Sequence, residues 1–223
     1  MKKQPFFALT LLAAVVGNNV YAQSQGSWMV RGGATNITPS VSIDYLTAPS
    51  LPHTQAAVDD STRLSAGITY MVNDHLSVDL PLALPFKHDI SGGGAIAGVG
   101  KLGDVKALPV TLLGQWRFME PNAKFRPYLG AGLTYAHFYG ARGTATLSAL
   151  TGGRPGNPTT LSIESKWAPT FQLGATLALN EHWFADATYA YTLLKTRTSL
   201  STGQTLDIKL NPSAICLAVG YKF

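Results

Sequence analysis

Two short segments of the sequence repeat the same arrangement of titratable side chains. Each has an asparagine, an acidic residue and a histidine in a row, followed four residues later by an aspartate: Asn73-Asp74-His75 with Asp79, and Asn180-Glu181-His182 with Asp186. Carboxylates brought together from two such segments can bind a metal ion or share a proton in acid–base catalysis. Alternatively, they form salt bridges with basic side chains, because buried charges must be paired. The candidate partners are Arg31, Arg63 and Lys166.

Other motifs that carry chemistry are weak in this sequence. Residues 98–103 match G-x-G-x-x-G, but a dinucleotide site needs a strand before this motif and a helix after it, and the sequence predicts neither. No G-x-S-x-G elbow is present for a hydrolase nucleophile. Cys216 is the only cysteine, so no disulfide can form within the chain. We therefore predict that the protein is not an enzyme and that it binds no cofactor or metal ion.

The beginning of the chain has the features of a secretory signal peptide. Lys2 and Lys3 precede an apolar run over residues 6–16, and small residues lead to a cleavage site after Ala22. The chain is thus predicted to divide into a signal peptide, residues 1–22, and one domain, residues 23–223. Removing the signal peptide with its two lysines reduces the net charge from +5 to +3. This excess is too small to indicate nucleic-acid binding.

The remaining sequence alternates large apolar residues with small or polar ones, which is the period of a β-strand. The pattern is clearest over the last nine residues, with the apolar set Ile215, Leu217, Val219, Tyr221 and Phe223. Similar stretches predict further strands that begin near residues 27, 62, 76, 104, 125, 166 and 183. No later segment is long enough for a membrane helix, and a closed barrel is the other membrane-spanning structure. The predicted fold is an all-β, eight-stranded antiparallel transmembrane β-barrel.

The connections between these strands alternate in length. Short turns lie near residues 74, 121 and 181, whereas long loops lie near residues 50, 95, 150 and 200, including loops over 87–103, 139–164 and 196–205. Outer-membrane barrels have short periplasmic turns and long external loops. The alternation therefore predicts a multi-pass barrel in the Gram-negative outer membrane.

The parity of each strand predicts which side chains face the lumen. The lumen-lining candidates are Met71, Asp79, Pro81, Ala83, Leu113, Phe184 and Asp186. Pro81 and Pro109 lie inside neighbouring strands, where each removes a hydrogen-bond donor from the ladder. Weakened pairing between these two strands predicts a lateral exit from the lumen.

Several stretches of the sequence resemble the OmpW family of small outer-membrane barrels. They are Tyr70-Met71 with Asn73-Asp74, Pro85-Phe86-Lys87-His88, Leu108-Pro109-Val110-Thr111-Leu112, residues 124–132, and Asn211-Pro212 with the terminal Gly220-Tyr221-Lys222-Phe223. Residues 166–172 are also similar to the family branch linked with alkane import. The resemblance implies a narrow, substantially apolar lumen and the passive movement of small hydrophobic molecules, which leave sideways through the wall.

We therefore predict an outer-membrane barrel that passes small hydrophobic molecules through its lumen. A structural or surface-interaction barrel, with loops that serve as a receptor or adhesion surface, is the alternative. A further alternative is an outer-membrane lipid-modifying enzyme. The expected partners are outer-membrane lipids, small hydrophobic molecules and the barrel-assembly machinery, which would engage the C-terminal strand that ends at Phe223.

Overall fold

The computed structural model describes residues 23–40, 42–43, 46–47, 53–154 and 156–223. The predicted signal peptide lies outside these residues. The described chain is almost entirely β-structure. In chain order its elements are β1 (Trp28–Thr38), β2 (Ser42–Ile43), β3 (Thr54–Val58), β4 (Ser61–Met71), β5 (Leu76–Ala83), β6 (Phe86–Gly94), β7 (Lys101–Arg117), β8 (Phe125–Gly143), α1 (Ala145–Thr151), β9 (Leu161–Ile163), β10 (Lys166–Ala178), β11 (Trp183–Thr192), β12 (Lys195–Leu200), β13 (Thr205–Lys209) and β14 (Ser213–Lys222).

The strands close into one antiparallel barrel. The wall runs from β1 through β4, β5, β7, β8, β10, β11 and β14, and β14 pairs with β1 again. β6 continues the line of β5 after a break at Leu84 and Pro85, and β3 precedes β4 in the same way. The predicted eight-stranded antiparallel β-barrel is confirmed. Closure matters physically because each wall strand then has a neighbour on both sides, which removes the open edges of the sheet.

The wall extends further at one end than the sequence predicted. Residues 87–103 were expected to form a loop, but they contain most of β6 and the start of β7, which pair with each other. The expected loops over 139–164 and 196–205 contain the end of β8, α1, β9, β12 and the start of β13. The composition of these segments favoured loops. Their backbone N–H and C=O groups instead pair with strands that are distant in the sequence, and the residues therefore adopt strand structure. We call this end the extended end and the other the short-turn end.

A small apolar core lies at the extended end. Ile96, Leu102, Leu147, Leu161 and Leu200 are buried against one another. Leu147 belongs to α1, whose first turn is capped when the Thr144 hydroxyl accepts a hydrogen bond from the Leu147 amide at 3.3 Å. The extensions of the wall are therefore packed together by their own side chains.

The two faces of the wall differ as the strand parity predicted. Outward apolar side chains are exposed, for example Leu64 at 69%, Leu217 at 60% and Trp167 at 68%, whereas inward Met71 and Asp79 are fully buried. A continuous exposed apolar band is the surface that a membrane barrel presents to lipid. Among the described residues, no helix is long and apolar enough to span a membrane.

The repeated asparagine–acid–histidine segments are turns. The Asn73 side-chain oxygen accepts hydrogen bonds from the amides of His75 and Leu76, at 2.9 and 2.7 Å. The Asn180 oxygen accepts from His182 and Trp183 at 3.0 and 2.8 Å. This Asx geometry explains why the same residue pattern occurs before two different strands. The aspartates that follow then enter β5 and β11 with inward parity.

Candidate functional site

The short-turn end of the lumen is filled with polar side chains around two buried arginines. Arg117 donates hydrogen bonds to Ser77 Oγ at 3.1 Å, Gln23 Oε1 at 3.1 Å and Gln115 Oε1 at 3.0 Å. Its guanidinium also lies 4.7 Å from the centre of the Tyr128 ring. The guanidinium nitrogens of Arg126 donate to backbone carbonyls, including Gln23 O at 2.8 Å and Asp74 O at 2.6 Å. These bonds close the lowest layer of the lumen.

A charged layer lies directly above, centred on Arg31. Its two terminal nitrogens donate to the carboxylate of Asp79 at 2.7 and 2.9 Å, and its Nε lies 3.8 Å from Asp186 Oδ1. Asp79 comes from β5 and Asp186 from β11, so Arg31 on β1 lies between strands on opposite sides of it. The residues paired with Arg31 on the flanking strands are Gly67 and Gly220, and a Cβ on Gly67 would lie 2.6 Å from Arg31 Cζ. Glycine leaves the space that the guanidinium occupies.

Apolar side chains fill the gaps between these polar groups. Met29, Met71 and Phe184 are buried against one another. The second carboxylate is also fully satisfied, because Tyr128 OH and Thr188 Oγ1 donate to Asp186 at 3.0 and 2.9 Å. We call the polar and charged layers, with this apolar cluster, the floor. The side chains of the floor are buried and bonded to each other, so they fill this part of the lumen.

An apolar cavity of about 220 Å³ lies above the floor and extends towards the extended end. Its walls include Pro81, Ala83, Phe86, Leu113 and Ala136, and further apolar side chains from β11 to β14. Arg31 lines its lower boundary. The lumen is therefore divided along its axis into a packed polar part and a hollow apolar part.

Four threonines that line this cavity are hydrogen-bonded to one another. The hydroxyls of Thr111, Thr134, Thr170 and Thr192 form a chain across four neighbouring strands, with oxygen–oxygen distances of 2.8, 2.5 and 2.9 Å. Each of the four hydroxyls therefore has at least one hydroxyl partner within this chain. This threonine belt explains how a lumen with many polar residues still encloses an apolar space.

The wall beside the cavity contains a break in strand pairing. β5 pairs with β7 from Leu76↔Trp116 to Asp79↔Leu113, and pairing resumes only at Phe86↔Ala107, between β6 and β7. Residues 80–85 and 108–112, all of which the structure describes, are unpaired with each other. Each of the two segments keeps its pairing with the strand on its other side, which is β4 for the first segment and β8 for the second. We call this stretch the wall gap.

Two prolines and two outward residues mark the wall gap. Pro81 and Pro109, which lack a backbone N–H, lie on its two sides. Ala66 and Leu82 belong to the outward face of the wall, yet both line the cavity. The cavity therefore reaches the outer surface of the barrel at this level, just above Asp79.

The structure brings some predicted site residues together and separates others. Asp79, Asp186 and Arg31 form the charged layer, Met71 and Phe184 lie in the floor, and Pro81, Ala83 and Leu113 line the cavity. The prediction that Arg63 and Lys166 join the charge network is wrong. Arg63 donates to the Pro85 carbonyl at 3.2 Å, and Lys166 pairs with Glu164 at 2.7 Å on the exposed surface. Both side chains lie near the extended end of the barrel, several residues along the wall from the level of Asp79 and Asp186.

Sequence reasoning missed most of the floor and the whole threonine belt. Arg117 and Arg126 flank the short turn between β7 and β8, and both have inward parity, which is a signal that the sequence contains. The four belt threonines also share inward parity on adjacent strands. What the sequence does not contain is the stagger of the strands, which decides which inward residues meet. Among the described residues, no group of three or more His, Cys, Asp or Glu side chains could hold a metal ion.

Comparison with known proteins settles the family. The model of the OmpW family matches residues 24–223. The chain belongs to the OmpW family. Outer membrane protein W of Vibrio cholerae is 33% identical over 99% of this chain and 100% of the relative. Outer membrane protein AlkL of Ectopseudomonas oleovorans is 24% identical over 97% of this chain and 93% of the relative.

A solved structure of this family has the same architecture. The crystal structure of OprG from Pseudomonas aeruginosa matches with a TM-score of 0.82 and 29% sequence identity, covering 92% of this chain and 99% of OprG. The predicted membership of the OmpW family and the predicted outer-membrane localisation are confirmed. In an outer-membrane barrel of this family the short turns face the periplasm, so the extended end is external.

Proposed function

We propose that this OmpW-family barrel admits small hydrophobic molecules at its external end and releases them sideways into the membrane through the wall gap. The observation that carries this proposal is that the bottom of the apolar cavity, the charged layer of the floor and the wall gap lie at one level of the barrel. The apolar cavity ends on the charged floor, and the wall gap opens at the same height, between Pro81 and Pro109. A molecule that enters the cavity meets an opening towards lipid at the point where the axial path stops.

The chemistry of the cavity favours apolar cargo. Removing apolar surface from water contributes about 25 cal/mol per Å², so a small aromatic that buries about 150 Å² gains roughly 4 kcal/mol. A polar molecule finds few groups to replace its bonds with water, because the hydroxyls of the threonine belt are bonded to one another. Among the described residues that line the cavity, the Thr198 hydroxyl is the buried one without a partner. Transfer of a polar group without such bonds is costly. The cavity therefore selects against sugars and ions.

The floor directs the cargo away from the periplasm. A hydrocarbon that continued along the axis would have to separate Arg31 from Asp79, and breaking a buried ion pair costs about 3–5 kcal/mol. Moving past Pro81 and Pro109 breaks no hydrogen bond across the wall gap. Apolar molecules are slowed by the saccharide layer of the outer leaflet and not by hydrocarbon. A conduit that crosses only this layer is sufficient for uptake.

Uptake measurements test the proposal. We expect cells that contain the barrel to take up a small alkane or aromatic faster than cells without it, at matched membrane integrity, whereas uptake of a sugar of similar size should change little. Leu113→Trp and Ala83→Trp fill the cavity and should abolish the gain. Leu217→Trp is the matched control, because Leu217 faces lipid and its replacement leaves the cavity unchanged.

The folded state of each variant is checked by its heat-dependent gel mobility. Equal hydrocarbon uptake with and without a folded barrel contradicts the proposal, and so does normal uptake by a folded Leu113→Trp barrel. Either result would favour the surface-interaction alternative.

A further inference from the structure

The external end of the barrel carries a second concave feature, on its outer surface. A groove of about 430 Å³ lies where β10, β12 and β13 meet, and charged side chains line it. Four are basic, Lys166, Lys195, Arg197 and Lys209, and two are acidic, Glu164 and Asp207. We call it the basic groove. Thr196 and Ile208 turn into the apolar cavity, so Lys195, Arg197 and Lys209, on the alternate positions, point out of the barrel.

Two of the four basic side chains are already paired with the acidic ones. Arg197 donates two hydrogen bonds to Asp207, at 2.6 and 2.9 Å, and these bonds lower the pKa of the Asp207 carboxyl. Lys166 lies 2.7 Å from Glu164. Both carboxylates are therefore already engaged by a basic side chain of the groove.

The other two lysines face each other. Lys195 is directly opposite Lys209 in the antiparallel pairing of β12 and β13. Among the described residues, no carboxylate lies within ion-pair distance of either ammonium group. Like charges placed directly opposite on neighbouring strands destabilise the pair. An anion bound between them would offset this repulsion.

The position of the groove identifies the kind of anion. Leu193, two residues before Lys195, is an exposed apolar side chain of the lipid-facing band, and Trp167 beside Lys166 is another. Two residues of chain span at most about 7 Å. The lysines therefore lie just outside the apolar band at the external end, at the depth where the outer leaflet carries its phosphate groups. Lysine binds phosphate as a compact point charge.

We propose that the basic groove binds a phosphate group of the lipopolysaccharide in the outer leaflet, through Lys195 and Lys209. Binding there fixes the depth of the barrel, and with it the height of the wall gap relative to the hydrocarbon. The basic side chains of the groove point out of the barrel, so ligand binding there is measured separately from uptake and does not depend on the proposed cargo.

Binding of purified lipid A to the whole barrel in phosphatidylcholine nanodiscs tests this proposal. The wild-type protein should bind lipid A that carries two phosphates, and dephosphorylated lipid A should bind much more weakly. The double variant Lys195→Gln and Lys209→Gln should bind about 30-fold more weakly, equivalent to about 1 kcal/mol for each lysine near a membrane surface. Both lysines are exposed, and folding is verified by heat-dependent gel mobility.

A matched control separates this site from general electrostatics. The double variant Lys124→Gln and Lys222→Gln removes the same charge at the periplasmic end and should bind lipid A like the wild type. Equal affinity of the wild type and the Lys195/Lys209 variant overturns the proposal. Equal binding of dephosphorylated lipid A, or of phosphatidylglycerol vesicles, overturns phosphate recognition of lipopolysaccharide. Displacement of lipid A by millimolar inorganic phosphate would assign the site to a soluble anion and also overturn it.

Discussion

Arg31 connects carboxylates that lie two strands away from it in both directions around the barrel. β4 separates it from Asp79 on β5, and β14 separates it from Asp186 on β11. These contacts cross the seam where the last strand meets the first, so a single side chain links both sides of the closure. Burial makes the link sensitive, because a buried charge that loses its partner has no water to replace it.

Removing the Asp79 charge tests this role. Asp79→Asn leaves Arg31 with Asp186 at 3.8 Å as its remaining carboxylate. We expect the free energy of unfolding to fall by about 3–5 kcal/mol, the usual cost of breaking a buried pair. Urea titration of the barrel in lipid vesicles measures the change.

The control for this prediction is the exposed pair of Lys166 and Glu164, in which both side chains are about half exposed. Lys166→Gln should change the free energy of unfolding by less than about 1 kcal/mol. If the two replacements cost the same, Arg31 and Asp79 are not the pair that holds the lumen together.

Strand parity decides how each element meets its surroundings, and β14 shows this most simply. Its outward residues Ile215, Leu217 and Val219 are about half exposed or more, whereas Ala218 lies opposite Asp186 and Gly33 on its two neighbouring strands. One face of the strand therefore contacts lipid and the other contacts the packed floor.

Substitutions on the two faces of β14 should differ in cost. Leu217→Arg places a charge in the lipid-facing band, and we expect it to lower the free energy of unfolding by about 2–4 kcal/mol. Ala218→Ser adds one hydroxyl beside polar neighbours and should cost less. Reversible unfolding in vesicles permits the comparison. A larger loss for Ala218→Ser would mean that the two faces are assigned the wrong way round.

The elements also show which part of the structure the sequence could predict. Period-two alternation is local, so the inward positions of Arg31, Asp79 and Leu113 followed from their neighbours in the chain. The strands that lie within residues 87–103 did not, because their glycines indicate a loop until the partner strand is known. Local composition at Gly92, Gly93 and Gly94 was overruled by pairing with β3.

For the whole molecule, the division of the lumen was beyond prediction from the sequence. Parity identified Met71 and Pro81 as lumen residues alike, yet one lies in the closed floor and the other at the wall gap. The height at which the floor ends depends on the stagger of all the strands around the barrel. That height is the basis of the proposed function, because it places a charged barrier directly below an opening towards lipid.

Closing the wall gap by a covalent bond tests lateral release most directly. Continuing the register of β5 and β7 places Leu82 opposite Val110, on the outward rim of the gap. In a Cys216→Ser background, Leu82→Cys and Val110→Cys can be joined by oxidation or by a short bis-maleimide, with the joined fraction measured by mass spectrometry. We expect hydrocarbon uptake to fall to the level of cells without the barrel once the bond forms. Reduction of the disulfide should restore it. Unchanged uptake by a fully cross-linked barrel would contradict release through the wall.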